Sequence, residues 1–250
     1  MHRVAGKIAL FDLPLPAVVG IAAYVLATLS VRALAAARER EERFAADAAH
    51  ELRTPLASIA TVAQAARGAS PADQSRALET IANRALDASA LVSDLMLLMR
   101  EQTTDRRLHE PVDLATLATR VARDTRERNA AIAIACTIPA NGGYVVGEGR
   151  ALRRLIGNLV ENAVKHARTS VRITVETNGS YITVSVEDDG PGVADADRAR
   201  IFERFYKGRA DSPGSGLGLA ICRRIGLGHG GTLGLEGPAR FVARLPQAPA

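Results

Sequence analysis

The chain has 250 residues, 47% of them hydrophobic and 24% charged, a composition typical of a globular protein with room for one or two domains. It carries a formal net charge of +5, but its basic residues are spread along the chain and form no basic run. Nucleic-acid binding is therefore not expected, whereas a polyanionic ligand is compatible with the charge. Cys136 and Cys222 have no metal-binding or redox spacing, which indicates reduced core thiols.

An uncharged stretch lies near the N-terminus. Residues 13–31 form a segment of 19 residues without charge, close to the roughly 20 that a helix needs to cross a hydrocarbon core. Its apolar residues cover all sides of a helix, which disfavours a buried helix of a soluble domain. Basic residues flank it unequally, with Arg3 and Lys7 before it and Arg32, Arg38, Arg40 and Arg43 after it. We therefore expect a tail (1–12), a single transmembrane helix (13–34) in the inner membrane and a cytoplasmic C-terminal side.

The next part of the chain predicts a helical hairpin. Residues 38–68 are rich in Ala, Arg and Glu, and Gly68 to Pro71 end this first helix. Residues 72–101 predict a second helix. Its apolar residues follow a 3-4 spacing at Leu78, Ile81, Ala85, Ala88, Val92, Leu95 and Met99, with a second stripe at Leu91 and Leu98. Because one hairpin would bury too little apolar surface, we expect two copies to form a four-helix bundle over 38–101.

A polar linker (102–112) separates this hairpin from a region of mixed structure (113–250). Hydrophobic alternation on both sides of Asn178 and Gly179 predicts a β-hairpin. The pattern as a whole predicts an α+β domain with helices on one face of a mostly antiparallel sheet. The expected helices are 113–130, 149–166 and 216–227, and the expected strands outside the hairpin are 132–138, 144–147, 231–236 and 239–245.

His50 lies on the first predicted helix of the hairpin, away from its apolar residues. At about 100° per residue, Leu52 lies roughly 160° around the helix from His50, so the imidazole is expected to face solvent. Glu51 can take the imidazole N–H proton, and Thr54, one turn further on, can position a water. Pro55 removes a backbone hydrogen bond and should kink the helix just past His50. These neighbours make His50 a candidate nucleophile.

The segment from His50 to Leu56, HELRTPL, resembles the H-box of sensor histidine kinases almost completely. The resemblance implies that His50 is the phosphorylated residue and that Glu51 is the general base for its autophosphorylation. It also implies that Thr54 helps to dephosphorylate the partner response regulator.

Three further clusters lie in the mixed region, the first on the predicted helix 149–166. Asn158, Asn162 and Lys165 share one face of that helix. Amide oxygens can hold a hydrated Mg²⁺, and a lysine ammonium can meet a phosphate. In isolation, this stretch would be taken for a solvated amphipathic helix.

The second and third clusters are rich in glycine. Asp188 ends a predicted strand, where its carboxylate can accept a hydrogen bond from the exocyclic amine of adenine, and Gly190 and Gly192 allow the backbone to approach the ring. The segment 214–221, GSGLGLAI, opens a predicted helix and can present backbone N–H groups to phosphates. It lacks the βαβ context of a dinucleotide-binding fold and the Gly-Lys-Ser/Thr ending of a P-loop.

In this order and spacing, the three clusters resemble the N, G1 and G2 boxes of the histidine-kinase ATPase domain. Residues 201–206, IFERFY, resemble the F-box, and residues 229–231 resemble the last glycine motif, so that the resemblance covers about 44–250. It implies the α/β sandwich of the histidine-kinase and Hsp90 type for 113–250 and an ATP lid at 206–215.

The resemblance also implies the ligands, ATP and Mg²⁺, and the residues that hold them. Asn158 and Asn162 would hold Mg²⁺, Lys165 and His166 would approach the phosphates, and Asp188 would bind adenine. The residues implied to contact the nucleotide are Asn158, Asn162, Lys165, His166, Asp188, Gly190, Gly192, Phe202, Gly214, Gly216, Leu217 and Gly218.

The expected function is that of a membrane-tethered, homodimeric protein-histidine kinase that phosphorylates His50 and passes the phosphoryl group to an aspartate of a response-regulator receiver domain. A related ATPase of the same fold and a silent scaffold or phosphatase remain as alternatives. Another alternative is a cleaved signal peptide, since Ala35 and Ala37 form an A-x-A pattern. Cleavage there would release the nucleotide site outside the cytoplasm, where ATP is absent. With about 12 residues before the membrane segment, no extracytoplasmic sensor domain is expected.

Overall fold

The computed structural model describes residues 15–99, 109–138, 143–208 and 214–248. The chain divides into two compact units, Met1–Arg53 and Thr54–Ala250. Among the described residues, the first unit contains residues 15–53 of the first helix, and the second contains the rest of that helix and all other elements.

Helix α1 (Leu15–Ala65) is a single continuous helix of 51 residues. The sequence predicted two helices, 13–34 and 38–68, but the three residues between them, 35–37, are all alanine, which favours helix and provides no break. The helix also continues through Pro55. Large apolar side chains near its beginning, such as Val19 and Leu26, are exposed. By length and composition, α1 is the one helix in the described part of the chain that could cross a membrane.

Helix α2 (Pro71–Met99) follows a short turn in which Gly68 has a φ of 83°, a left-handed conformation suited to glycine. The Ser70 hydroxyl accepts a hydrogen bond from the backbone N–H of Asp73 at 3.3 Å, which caps the new helix. Only the C-terminal end of α2 is buried, at Leu91, Leu95 and Leu98.

The remainder of the second unit is an α/β sandwich. Strands β2, β4, β5, β7 and β6 form a five-stranded sheet in that order, with β2 parallel to β4 and the other pairs antiparallel. Strands β1 and β3 form a separate antiparallel pair. The elements are β1 (Glu110–Asp113), α3 (Leu114–Arg128), β2 (Ala133–Thr137), β3 (Tyr144–Gly147), α4 (Gly149–His166), β4 (Ser170–Asn178), β5 (Tyr181–Asp188), α5 (Gly218–Gly228), β6 (Thr232–Glu236) and β7 (Arg240–Pro246).

The core lies between this sheet and the layer of α3, α4 and α5. Helix α4 packs against both α3 and α5 and against the sheet, so it is the central helix of the layer. Its apolar face is fully buried at Leu155 and Leu159, opposite Ile173 and Val184 of the sheet, which are also fully buried. The α+β architecture predicted from the sequence is confirmed. One element was missed, because the predicted linker (102–112) ends in strand β1, which pairs with β3.

Candidate functional site

The polar face of α4 meets the beginning of α5. Asn158, half-buried on α4, donates a hydrogen bond from Nδ2 to the carbonyl oxygen of Gly218 at 3.3 Å. Asn162 is half-buried one turn later, and Lys165 is exposed another turn on. A Cβ on Gly214 would lie 3.2 Å from the Lys165 ammonium nitrogen, so the glycine loop passes close to this charge. The structure therefore joins the first and third clusters of the sequence into one site.

The glycine loop needs its glycines for backbone reasons. Gly214 and Gly216 have φ values of 109° and 70°, in the left-handed region that glycine adopts without strain. A Cβ on Gly216 would lie 2.7 Å from the carbonyl carbon of Phe205. Leu217, fully buried, anchors the loop and occupies the N-cap position of α5 without a side-chain cap. The first N–H groups of α5 are thus available for an anion.

Asp188 lies at the end of β5, beside the C-terminal end of α4. One of its carboxylate oxygens accepts a hydrogen bond from the backbone N–H of Gly190 at 2.9 Å. Burial raises the pKa of Asp188, an effect that the Gly190 N–H and then His166 oppose. A Cβ on Gly190 would lie 2.2 Å from the carbonyl oxygen of His166, so this glycine allows the strand end to pack against α4. His166 itself is exposed at the helix end.

The two other predicted residues of this region have packing contacts. Gly192 has a φ of 74°, and a Cβ there would lie 2.7 Å from the Pro238 Cβ. Phe202 is half-buried, meets Phe241 edge-on at 6.4 Å between ring centroids, and has the Arg223 guanidinium 6.0 Å from its ring centroid. Both residues thus pack against neighbouring elements and stabilise the backbone around the site.

Asp189 has a different partner from its neighbour Asp188. Its carboxylate accepts hydrogen bonds from the backbone N–H groups of Arg168 and Thr169 and from the Thr169 hydroxyl. The Thr169 hydroxyl, followed by its N–H, holds the pKa of Asp189 well below its usual range. Asp189 therefore fixes the α4–β4 turn beside the site. The sequence did not separate this structural carboxylate from Asp188, because the partners lie about 20 residues away.

The residues present fit a magnesium–nucleotide complex. Since the Asn158 amide nitrogen is bonded to Gly218, its amide oxygen is left to ligate a cation. Within the described ranges there is no group of three His, Cys, Asp or Glu side chains that could hold a metal by themselves. The Asn158 amide oxygen is a ligand of the kind that Mg²⁺ takes, since this ion keeps several waters and takes further ligands from phosphates.

The predicted phosphoacceptor residues lie on α1. His50 is exposed, as its helix phase predicts, and Glu51 is partly exposed in the first unit. Thr54, exposed, is the first residue of the second unit. All three side chains can thus be reached by reactants from solvent.

Two family models match the chain. "His Kinase A (phospho-acceptor) domain" matches residues 40–104, and "Histidine kinase-, DNA gyrase B-, and HSP90-like ATPase" matches residues 147–249. The first match contains His50, and the second contains Asn158, Asp188 and the glycine loop.

Curated relatives agree with these models. Signal transduction histidine-protein kinase/phosphatase MprB of Mycobacterium sp. (strain KMS) is 37% identical over 222 residues, which cover 83% of this chain and 42% of the relative. Sensor protein kinase PmrB of Pseudomonas aeruginosa (strain PAO1) is 39% identical over 214 residues, which cover 83% of this chain and 45% of the relative. The chain thus spans less than half the length of these relatives.

Solved structures are similar as well. Full-length ShkA in complex with AMPPNP has a TM-score of 0.59 at 28% identity, covering 84% of this chain and 46% of that one. The mycobacterial sensor histidine kinase MprB has a TM-score of 0.50 at 30% identity, covering 57% and 99%. The protein belongs to the sensor histidine kinase family.

Proposed function

We propose that the chain is an ATP-dependent protein-histidine kinase that phosphorylates His50 and then passes the phosphoryl group to an aspartate of a response-regulator receiver domain. The observation that carries this proposal is the presence, in one chain, of an exposed His50 in an H-box and a nucleotide site that unites Asn158 with the glycine loop before α5. Neither part would be useful alone in such a reaction.

The ATP-binding residues divide the work by chemistry. Asn158 and Asn162 hold Mg²⁺ through their amide oxygens, while Lys165, His166 and the N-terminus of α5 receive the phosphates. Asp188 accepts a hydrogen bond from the adenine amine. Mg²⁺ held by these residues would neutralise charge that develops on the phosphate oxygens.

At the acceptor, the reaction is a displacement at the γ-phosphorus. One imidazole nitrogen of His50 forms the new N–P bond, the bond to the ADP oxygen breaks, and ADP leaves. Glu51 takes the proton from the other imidazole nitrogen, which makes the attacking nitrogen more nucleophilic. Delivery of the phosphoryl group requires the catalytic domain to approach His50, and we infer that the polar part of the predicted linker (102–112) that precedes strand β1 serves as the hinge.

The proposed setting is a homodimer at the inner membrane. Residues 13–34 cross the membrane once, residues 38–101 form the dimerisation and phosphotransfer domain, and the catalytic domain faces the cytoplasm, where ATP is present. The uncharged segment and the basic residues after it support this orientation.

The test uses the full chain, purified in detergent micelles and incubated with Mg²⁺ and γ-labelled ATP. We expect acid-labile label on the parent and on a His2→Gln control, and none on His50→Gln. Label that survives in His50→Gln, or its absence from the parent, would contradict the proposal. Hydrolysis of ATP without labelling would instead favour a related ATPase, and ATP binding without turnover would favour a scaffold.

A second activity of the same protein is dephosphorylation of the response regulator. The mycobacterial relatives are named kinase/phosphatase, and Thr54 is exposed one turn after His50. Thr54→Ala should keep autophosphorylation and slow loss of label from the phosphorylated regulator. Thr80→Ala, whose hydroxyl donates to the Arg76 carbonyl on α2, is the control that should leave both rates unchanged.

A further inference from the structure

Two arginines of the ATP-binding domain contact the C-terminal end of α2. Arg154, on α4, forms an ion pair with Asp94. Arg204 donates a hydrogen bond from Nη2 to the backbone carbonyl of Leu98 at 3.4 Å. Helix α2 also packs against α5. These contacts all lie within the second unit and join the helical hairpin to the nucleotide-binding domain.

The ion pair is more sheltered than the other charges of α2. The side chains of Asp94 and Arg154 are 20% and 31% exposed, whereas those of Asp87 and Arg84 on the same helix are 69% and 53% exposed. Asp94 lies among the three buried leucines of α2, Leu91, Leu95 and Leu98. A sheltered pair is less screened by water and salt than a surface pair, so its loss has a larger effect.

The C-terminal end of α2 provides a second electrostatic attraction to an arginine of the catalytic domain. The last carbonyl groups of a helix have no partner within the helix and carry a partial negative charge. Helix α2 has no basic residue in its own last turn, and Arg204 of the catalytic domain provides the cation. Both contacts therefore pair a negative group of α2 with an arginine of the other domain.

Asp94 is connected through Arg154 to helix α4, which carries Asn158. Arg154 precedes Asn158 by one helical turn, and both residues line a cleft of about 460 Å³ between α3 and α4. Asn158 is bonded in turn to Gly218 at the start of α5. The contact consequently pairs an arginine one helical turn from a proposed magnesium ligand with a carboxylate, on the helix that would hold a negatively charged nucleotide.

We propose that docking of α2 through Asp94 and binding of ATP oppose each other. The inference rests on the proposed nucleotide site at Asn158 and Asn162. The docked carboxylate weakens ATP affinity by like-charge repulsion, and bound ATP weakens docking by the same factor, because coupling between two binding equilibria is reciprocal. Loading with ATP thus shifts the catalytic domain toward the undocked state, so that more of the domain is free to move when it carries the substrate.

The first experiment measures the Kd of a non-hydrolysable ATP analogue with Mg²⁺ for the full chain in detergent micelles. Asp94→Asn should bind roughly two- to fivefold more tightly than the parent, the Coulomb effect of removing one charge near the doubly negative magnesium–ATP complex in a water-rich setting. Asp87→Asn removes the same charge from the same helix and should leave the Kd unchanged. The difference in Kd between the parent and Asp94→Asn should become smaller as salt is added, because salt screens the charge.

A second variant keeps the proposal testable if Asp94→Asn is unstable. Arg204→Gln weakens docking at the helix end and leaves the Asp94 side chain intact, so it should also tighten nucleotide binding. The reciprocal measurement is hydrogen exchange of backbone amides at residues 94–99. Adding the analogue should speed this exchange in the parent and change it little in Asp94→Asn.

The outcomes distinguish failure of the proposed coupling from failure of the proposed nucleotide site. An unchanged or higher Kd in both variants overturns the coupling, as does exchange at 94–99 that the analogue slows in the parent. A parent that binds no ATP analogue overturns the proposed nucleotide site itself, a result that the control variant would share.

Discussion

His229 makes two hydrogen bonds that together require a neutral ring. Its Nδ1–H donates to the carbonyl of Ile225 at 2.8 Å, and its Nε2 accepts from the backbone N–H of Glu148 at 3.1 Å. The ring stacks on His109 at 5.6 Å between centroids. Burial lowers the pKa of His229, and the nearby His109 acts in the same direction, while the Ile225 carbonyl and Glu148 oppose it.

The lowered pKa predicts loss of stability in acid. The unfolded chain takes up a proton on this histidine near pH ~6.5, whereas the folded protein does so only at lower pH. The contribution of neutral His229 to the free energy of unfolding is therefore fully present above about pH 6.5 and is lost as the pH falls toward the folded-state pKa. His229→Leu should cost about 1–3 kcal/mol, because the Glu148 N–H loses its acceptor. Its melting temperature should also fall less steeply than that of the parent between pH 7.5 and 5, and equal slopes would contradict the assignment.

Asp188 allows a sharper test of the adenine contact. In Asp188→Asn the amide oxygen can keep the Gly190 hydrogen bond, so the new NH₂ group would face the adenine amine, donor against donor. Loss of a hydrogen bond to a charged group predicts a Kd for ATP that rises roughly tenfold to hundredfold. Asp195→Asn, at a fully exposed carboxylate, is the matched control. Unchanged ATP affinity in Asp188→Asn would show that adenine binds elsewhere.

At the scale of elements, Asp113 connects strand β1 to helix α3. Its carboxylate accepts hydrogen bonds from the N–H of Ala115 at 2.9 Å, the N–H of Thr116 at 3.2 Å and the Thr116 hydroxyl at 2.6 Å. Asp113→Ala should lower the free energy of unfolding by about 1–2 kcal/mol, since the helix loses its N-cap. Asp113→Asn keeps an amide oxygen that can accept from the N–H groups of Ala115 and Thr116, and its NH₂ group can donate to the Thr116 hydroxyl, so this variant should stay close to the parent in chemical denaturation. Equal losses in both variants would point to charge instead of capping.

The elements also show which features a sequence can predict. Helix α4 was predicted over 149–166 and occurs there, because its amphipathic period is local information. Strand β1 was missed, since Pro111 and its polar neighbours resemble a loop until β3 provides a partner. The parallel pairing of β2 with β4 joins residues about 37 positions apart, and no local pattern specifies such a neighbour.

The same division holds for the site. Asn158, Asp188 and the glycines were predicted as site residues from their spacing and from the family resemblance, and their roles stay predictions. The reason for Gly190 was only partly predicted, because the close approach in the structure is to the carbonyl of His166, a contact across 24 residues. The pairing of Asp94 with Arg154 was not predicted for the same reason, as it joins two domains. Candidate side chains could thus be named from the sequence, whereas contacts between residues distant in sequence could not be predicted from it.

At the scale of the whole molecule, the apolar stripe of α2 is largely uncovered in a single chain. Leu78, Val92 and Met99 belong to the predicted stripe and are 66%, 40% and 67% exposed. Such a surface is costly in water unless a partner covers it. A second copy presents the same stripe and completes the proposed four-helix bundle.

The dimer can be tested with two adjacent residues of α2. Val92→Glu places a charge in the stripe and should shift the full chain from dimer to monomer in light scattering of detergent-solubilised protein, with reduced labelling of His50. Ser93→Glu adds the same charge one position on, where the native side chain is polar and exposed, and should remain dimeric. Binding of the ATP analogue should be equal in the two variants, because neither residue lines the nucleotide site. If Val92→Glu stays dimeric, the stripe is not the dimer interface, and the exposed apolar residues of α2 require another partner.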